Sequence, residues 1–202
     1  MPSSPTEIVR DQLQQSIHTF TTVLHDETIH NAVVEAARVT ANSLKSGGKL
    51  LVCGNGGSAA DAQHLVAEFV CRLVANRPAL PAIALTTDTS ILTAVSNDFT
   101  FERIFSRQVE ALGKQGDILL AITTSGNSPN CLHAVTQAKQ LGLTTVSLTG
   151  NGGGKIKSLA DINIVVPTTV TSHIQECHLA LEHIFCMLVE RLCFGEDLPA
   201  TP

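Results

Sequence analysis

Five short apolar runs, at 50–53, 81–85, 117–122, 144–148 and 162–166, are each followed by a segment of helical length, with Gly- and Ser-rich turns between. Strands that are apolar throughout are buried on both faces, and parallel strands need long crossovers, which helices supply. The alternation therefore predicts βαβ units and an α/β fold: a five-stranded parallel sheet flanked by helices. Two helices precede it. Ile8, Val9, Leu13, Ile17, Phe20 and Leu24 recur every three or four residues, the stripe of an amphipathic helix, and a second helix over about 28–44 ends at Gly47-Gly48. A last helical pattern runs over about 172–194, through Ile174, Cys177, Leu181, Ile184, Phe185, Leu188 and Leu192. At about 150 residues per domain, 202 residues make one: N-terminal helices over 1–46, an α/β core over 47–196, and a frayed tail over 197–202 marked by Pro199 and Pro202.

Composition narrows the partners. Charged residues are 15% of the chain where about 25% is usual, so much of the surface is neutral or hidden between subunits, and an oligomer is expected. Thirteen Lys and Arg against eighteen Asp and Glu, with no basic run, leave no footprint for duplex nucleic acid. With no Trp or Tyr and seven Phe, most of them in core-like helical patterns, base-stacking platforms are lacking too. The six cysteines (53, 71, 131, 177, 186 and 193) form no Cys-x-x-Cys pair and read as reduced thiols. No secretory segment opens the sequence and no apolar stretch reaches the ~18 residues needed to cross a bilayer. A cytoplasmic protein without a membrane partner is expected.

Ligands of open parallel sheets bind beyond the carboxyl ends of the strands. Two loops there carry chemistry. In Gly54-Asn55-Gly56-Gly57-Ser58 the glycines allow a tight turn, and Ser58 is placed to cap the following helix. In Thr123-Thr124-Ser125-Gly126-Asn127-Ser128-Pro129, hydroxyls cluster ahead of a proline at a first helical position. Hydroxyls and free amides at a positive helix end cradle phosphate. Without a P-loop lysine, that cradle suits a sugar phosphate better than a nucleoside triphosphate. Either loop alone reads as an ordinary turn, but two in register point to a site. Gly54-x-Gly56-x-x-Ala59 also fits a dinucleotide fingerprint, yet the acidic residue expected about 20 residues on is missing, Asp88 coming too late.

Asp61, His64 and Glu68 fall on one face of the helix after Ser58. Gln175, Glu176, His178 and His183 interrupt the apolar stripe of the last helix. Singly, His64 with Glu68 reads as an exposed pair and His183 as a core histidine. Together they are costly to bury unpaired, and His-x-x-x-Glu with Gln-x7-His offers nitrogen and oxygen ligands suited to zinc.

The run from Gly54 through Ser58, Asp61, His64 and Glu68, then Asn97-Asp98, 123–128, and Ile174-Gln175-Glu176 with His178 and His183 resembles the bacterial phosphoheptose isomerase family of sugar isomerase (SIS) domain proteins, in order along nearly the whole chain. The resemblance implies a flavodoxin-like SIS fold and a homotetramer joined through the two leading helices, with sites at subunit contacts. It implies conversion of D-sedoheptulose 7-phosphate to D-glycero-D-manno-heptose 7-phosphate, the first step toward heptose precursors. Thr123, Thr124, Ser125 and Ser128 would hold the phosphate. Asn55, Gly56, Gly57 and Ser58, with Asn97 and Asp98, would meet the sugar chain. His64, Glu68, Gln175 and His183 would hold one zinc ion per subunit, Glu68 and Gln175 also touching substrate. Moving a proton between C1 and C2 through an enediol requires an acid/base pair, and Glu68 with His183 is the expected one. Some members carry an acidic residue where this chain has Ser172, so no catalytic carboxylate is expected there.

Two alternatives share the fold: a tetrameric DnaA initiator-associating protein that promotes replication initiation, and a sugar-phosphate sensor without turnover. The pair Glu68 and His183 favours the enzyme, because the replication-initiation branch lacks it and a pure sensor has no need of paired acid/base groups.

Overall fold

The computed structural model describes residues 4–74 and 76–195; the tail expected over 197–202 lies outside them. The chain runs α1 (Pro5–Leu24), α2 (Glu27–Lys45), β1 (Leu50–Gly54), α3 (Gly57–Val70), β2 (Ala82–Ala84), α4 (Thr89–Asp98), α5 (Ser106–Leu112), β3 (Ile118–Thr123), α6 (Pro129–Gln140), β4 (Thr144–Thr149), β5 (Ile162–Val165) and α7 (Thr171–Phe194). The strands form one parallel sheet in the order β2-β1-β3-β4-β5. Every predicted strand is present, each within a residue or two of its apolar run.

Successive strand residues serve opposite faces. Leu50, Val52, Leu120, Val146 and Leu148 pack beneath α2, α3 and α7, whereas Leu51, Cys53, Leu119 and Ala121 pack beneath α5 and α6. With helices on both sides, β1 and β3 are buried along their whole length, which is why those runs are apolar without alternation. Local signals set the helix starts: Ser4 and Glu7 close a capping box on α1, Asp26 caps α2 and Pro129 opens α6.

Two expectations need correction. Ser58 does not cap α3: the N-cap is Gly56, without a side-chain cap, and Ser58 is a buried residue inside the first turn. The apolar stripe of α1, whose side the spacing left open, faces outward, with Leu13 61% and Ile17 63% exposed, and Thr19 and Val23 as the buried residues of that helix; the expectation that does fail, beside that for Ser58, is that most phenylalanines lie in the core. Of the phenylalanines, Phe20, Phe99 and Phe101 are exposed, while Phe69, Phe105 and Phe185 are buried.

The strand order places the site. From β1 the chain goes out to the edge strand β2 and returns to β3 on the other side of β1. The loops after β1 and β3 thus leave adjacent strands, Gly54 being in register with Ile122, and open the crevice where such sheets bind ligands.

Candidate active site

The loop after β3 is drawn together by its own polar groups. Thr123 Oγ1 lies 3.0 Å from Ser128 Oγ and 3.5 Å from Ser125 Oγ, and Asn127 N–H donates to Ser125 Oγ at 3.1 Å. Ser128, although the N-cap of α6, turns its hydroxyl to Thr123 and leaves the helix start without a side-chain cap. Free amides at a positive helix end, ringed by hydroxyls, form an anion cradle.

A second loop, one that the sequence pattern did not single out, braces this one from outside. Gly150 N–H donates to the Thr124 carbonyl, Ile156 N–H to the Gly126 carbonyl and Lys155 N–H to Asn127 Oδ1. Gly126, at φ +65°, sits so close to the Gly153 carbonyl that no Cβ would fit. The signal was the run Asn151-Gly152-Gly153-Gly154 just after β4.

Next to the cradle, the glycine turn borders a pocket of about 170 Å³ lined by Asn55, Gly56, Ala59, Thr86, Phe101 and Phe105, among others. The Asn55 side chain is turned to Asn130, with Nδ2 to Oδ1 contacts of 2.8 and 2.7 Å in the two directions. The turn therefore offers a ligand its backbone rather than that amide. Asn97 and Asp98 end α4, exposed and hydrogen-bonded to each other; among the described residues, their side chains make no hydrogen bond to either loop.

The third part of the site lies between α3 and α7. His64 Nε2 and His183 Nε2 are 2.8 Å apart, and a Glu68 oxygen is 3.7 Å from His64 Nε2. One ligand atom from each of the three falls within 4.8 Å of the others. The spacings read from the sequence thus meet in space: one helix turn brings Glu68 to His64, and α7 supplies His183. Two imidazoles and a carboxylate converging on one point fit zinc, which takes nitrogen and oxygen donors.

Gln175 stands apart from that trio. Its amide lies over Gly57, where a Cβ would strike it, and its Nε2 donates to both oxygens of Asp61 at 3.2 and 3.1 Å. Asp61 is only 7% exposed; burial raises its carboxyl pKa, while the Gln175 hydrogen bond pulls it back down. Because the nitrogen is engaged, Oε1 is the end of the amide left to face a metal or substrate.

Further buried groups support the helices. Arg77 donates to the Glu68 and Phe69 carbonyls and to Glu190, whose oxygens also accept from the backbone of Leu73 and Val74. This network closes the last turn of α3, which carries Glu68, and nothing in the irregular segment around Arg77 announced it in the sequence. On α7, neither oxygen of Glu182 has a hydrogen-bond partner among the described residues, and His178 is fully buried. Burial, then the Asp61 charge, pushes the Glu182 carboxyl up to about 8. Burial pushes His178 down to about 4.

The fold is that of a SIS domain: the family model described as "SIS domain" matches residues 14–150, more than half of the chain. A phosphoheptose isomerase of Burkholderia pseudomallei (strain 1710b) is 49% identical over 189 residues, covering 94% of this chain and 96% of that protein. The solved phosphoheptose isomerase of Francisella tularensis superposes with a TM-score of 0.90 at 38% identity, covering 94% of this chain and 100% of the other. That of Neisseria gonorrhoeae gives 0.87 at 41% identity, covering 93% and 99%. The chain belongs to the phosphoheptose isomerase family of SIS-domain proteins. These relatives lend nothing to the replication-initiation alternative.

Proposed function

We propose that the protein is an aldose-ketose isomerase that converts D-sedoheptulose 7-phosphate into D-glycero-D-manno-heptose 7-phosphate. The observation that carries this is the meeting of His64, Glu68 and His183 in a fold that also builds a hydroxyl-lined anion cradle. The substrate has its phosphate at one end of an open chain and its reacting carbons at the other. It needs an anion site and an acid/base site that are separate, and this chain has both.

In this reading Thr123, Thr124, Ser125 and Ser128 hold the phosphate, and the backbone of Asn55, Gly56 and Gly57 meets the sugar chain. Ser58, Asn97 and Asp98 complete the contacts to the sugar chain. Glu68 takes the C1 proton of the ketose, an enediol forms, and a proton is returned at C2. His183 exchanges the hydroxyl proton as the double bond moves. His64, Glu68, Gln175 and His183 would hold one zinc ion per subunit, which when bound supplies Lewis acidity at the sugar carbonyl. A carboxylate oxygen or imidazole nitrogen that holds zinc takes no proton, so zinc and proton transfer compete for Glu68 and His183.

The outward stripe of α1 supports a homotetramer. A buried Leu or Ile contributes roughly 1.5–3 kcal/mol, and Leu13, Ile17 and Leu24 are all more than half exposed in the single chain. Six free cysteines, together with the absence among the described residues of a helix long and apolar enough to cross a membrane, support work in the cytoplasm on a soluble substrate.

The test is to give the purified protein sedoheptulose 7-phosphate and follow the products by NMR. Formation of the aldoheptose phosphate is expected. Binding without turnover, with and without added zinc, would favour the sensor.

A further inference from the structure

Asn130, at the second position of α6, is only 2% exposed. Its amide orientation is fixed by its neighbours. The backbone N–H of Cys131, which can only donate, points at Oδ1 from 3.0 Å. Nδ2 of Asn130 therefore faces Asn55 Oδ1 at 2.7 Å, and Asn55 Nδ2 returns to Asn130 Oδ1 at 2.8 Å. Two side chains 75 positions apart in sequence thus form a closed, reciprocal amide pair. One belongs to the glycine turn after β1, the other to the helix whose start carries the phosphate cradle. The two loops leave neighbouring strands, and this pair joins them by side-chain hydrogen bonds.

We propose that Asn130 is a positioning residue that sets the distance between the phosphate cradle and the sugar-chain turn, acting through Asn55. The proposal rests on the sugar-phosphate reading above and adds to it a residue that never touches the ligand. A ligand held at two points gains affinity only while the points stay at the separation it spans. Inorganic phosphate meets the cradle alone and is indifferent to that separation. A sugar phosphate bridges both loops and is not.

The pair can be broken from either side. Asn130→Asp keeps the size of the side chain and the acceptor for Cys131 N–H, but replaces the donor with an oxygen facing Asn55 Oδ1. Asn55→Ala removes the partner and leaves the Asn130–Cys131 contact in place, so it reports even where the buried charge introduced by Asn130→Asp disturbs folding. Calorimetric titrations of wild type, both single variants and the double variant, with sedoheptulose 7-phosphate and with inorganic phosphate, read the outcome. The expected result for Asn55→Ala is that the sugar phosphate binds about tenfold to a hundredfold more weakly while inorganic phosphate binds as before; in Asn130→Asp the added charge beside the cradle weakens both ligands, the sugar phosphate by the larger factor. The double variant should be no worse than the weaker single one, because both act through one link. Equal losses for the two ligands, no loss for either, or additive losses would overturn the proposal. A wild type that binds the sugar phosphate without turning it over sinks the isomerase reading alone, since the two affinities still report on Asn130. A wild type that binds no sugar phosphate overturns both.

Discussion

The two halves of the site are built in opposite ways. In the loop half, around 54–58 and 123–128, polar groups are engaged by backbone and short side chains: hydroxyl to hydroxyl, amide to amide, and glycine against carbonyl. In the helix half, between α3 and α7, long titratable side chains meet one another, and the carboxyl of Glu182 lies in the core with no hydrogen-bond partner among the described residues. Fixed dipoles suit a charge that is present throughout, such as a phosphate. Groups that gain and lose protons suit the end of the substrate where bonds change. In the proposed function the loop half holds the substrate and the helix half reacts.

Substitutions should separate the two. The largest effect is expected for Glu68→Gln and His183→Gln, which leave shape and hydrogen bonding nearly intact but remove proton transfer: kcat should fall by roughly 10²–10⁴ with binding of the sugar phosphate retained, as read by steady-state kinetics and calorimetry. Thr123→Val removes the hydroxyl that gathers Ser125 and Ser128. Loss of a hydrogen bond to a charged group, about 1.5–3 kcal/mol, should appear as a rise in KM of roughly tenfold or more with a much smaller change in kcat. A fall in kcat alone would put chemistry in the loop half and break the contrast.

Gly57→Ala sharpens the helix half. The new methyl displaces the Gln175 amide from Asp61. Zinc affinity of metal-free protein, measured by chelator competition, should drop about tenfold, as for other changes around metal ligands. The melting temperature should fall by a few degrees, because buried Asp61 loses the hydrogen bonds that Gln175 gives it.

The last effect is on stability. Between pH 4.5, the ordinary value for a glutamate, and about 8, the unfolded chain releases the Glu182 proton while the folded one keeps it. The folded state binds more protons there, so this group makes stability fall as pH rises through that window. Glu182→Gln should flatten the decline and raise stability at pH 7.5 by something on the order of 1–3 kcal/mol, read from urea unfolding at pH 5 and 7.5. His178 acts in the other direction and lower down. It stays neutral to about pH 4, and its contribution is lost as pH falls from 6.5, because the unfolded imidazole takes up a proton first.

The contrast also explains what could be read in the sequence. Strands β1 and β3 were legible because burial on both faces leaves almost no polar positions, whereas β4 buries Thr145, Ser147 and Thr149 among its apolar residues. The loop half showed itself by composition, and the pair His64 and Glu68 by helical spacing. Asn130, Asp61 in its contact with Gln175, and the Arg77–Glu190 network were illegible as site supports. Each depends on a contact across roughly a third or more of the chain, and spacing along one element does not encode such contacts. The stripe of α1 is amphipathic as its spacing predicts, but its apolar side faces outward, because a helical period reports that a face is apolar and not which molecule covers it.

The most direct test of a proton passed through an enediol by these side chains is to run the conversion in D2O and examine the aldose phosphate by NMR. The Glu68 side chain, which takes the C1 proton, is 18% exposed, so a proton held there exchanges with solvent. The aldose should carry deuterium at C2. A product that keeps protium at C2 throughout would mean that the hydrogen passes directly between the carbons, and would contradict the account.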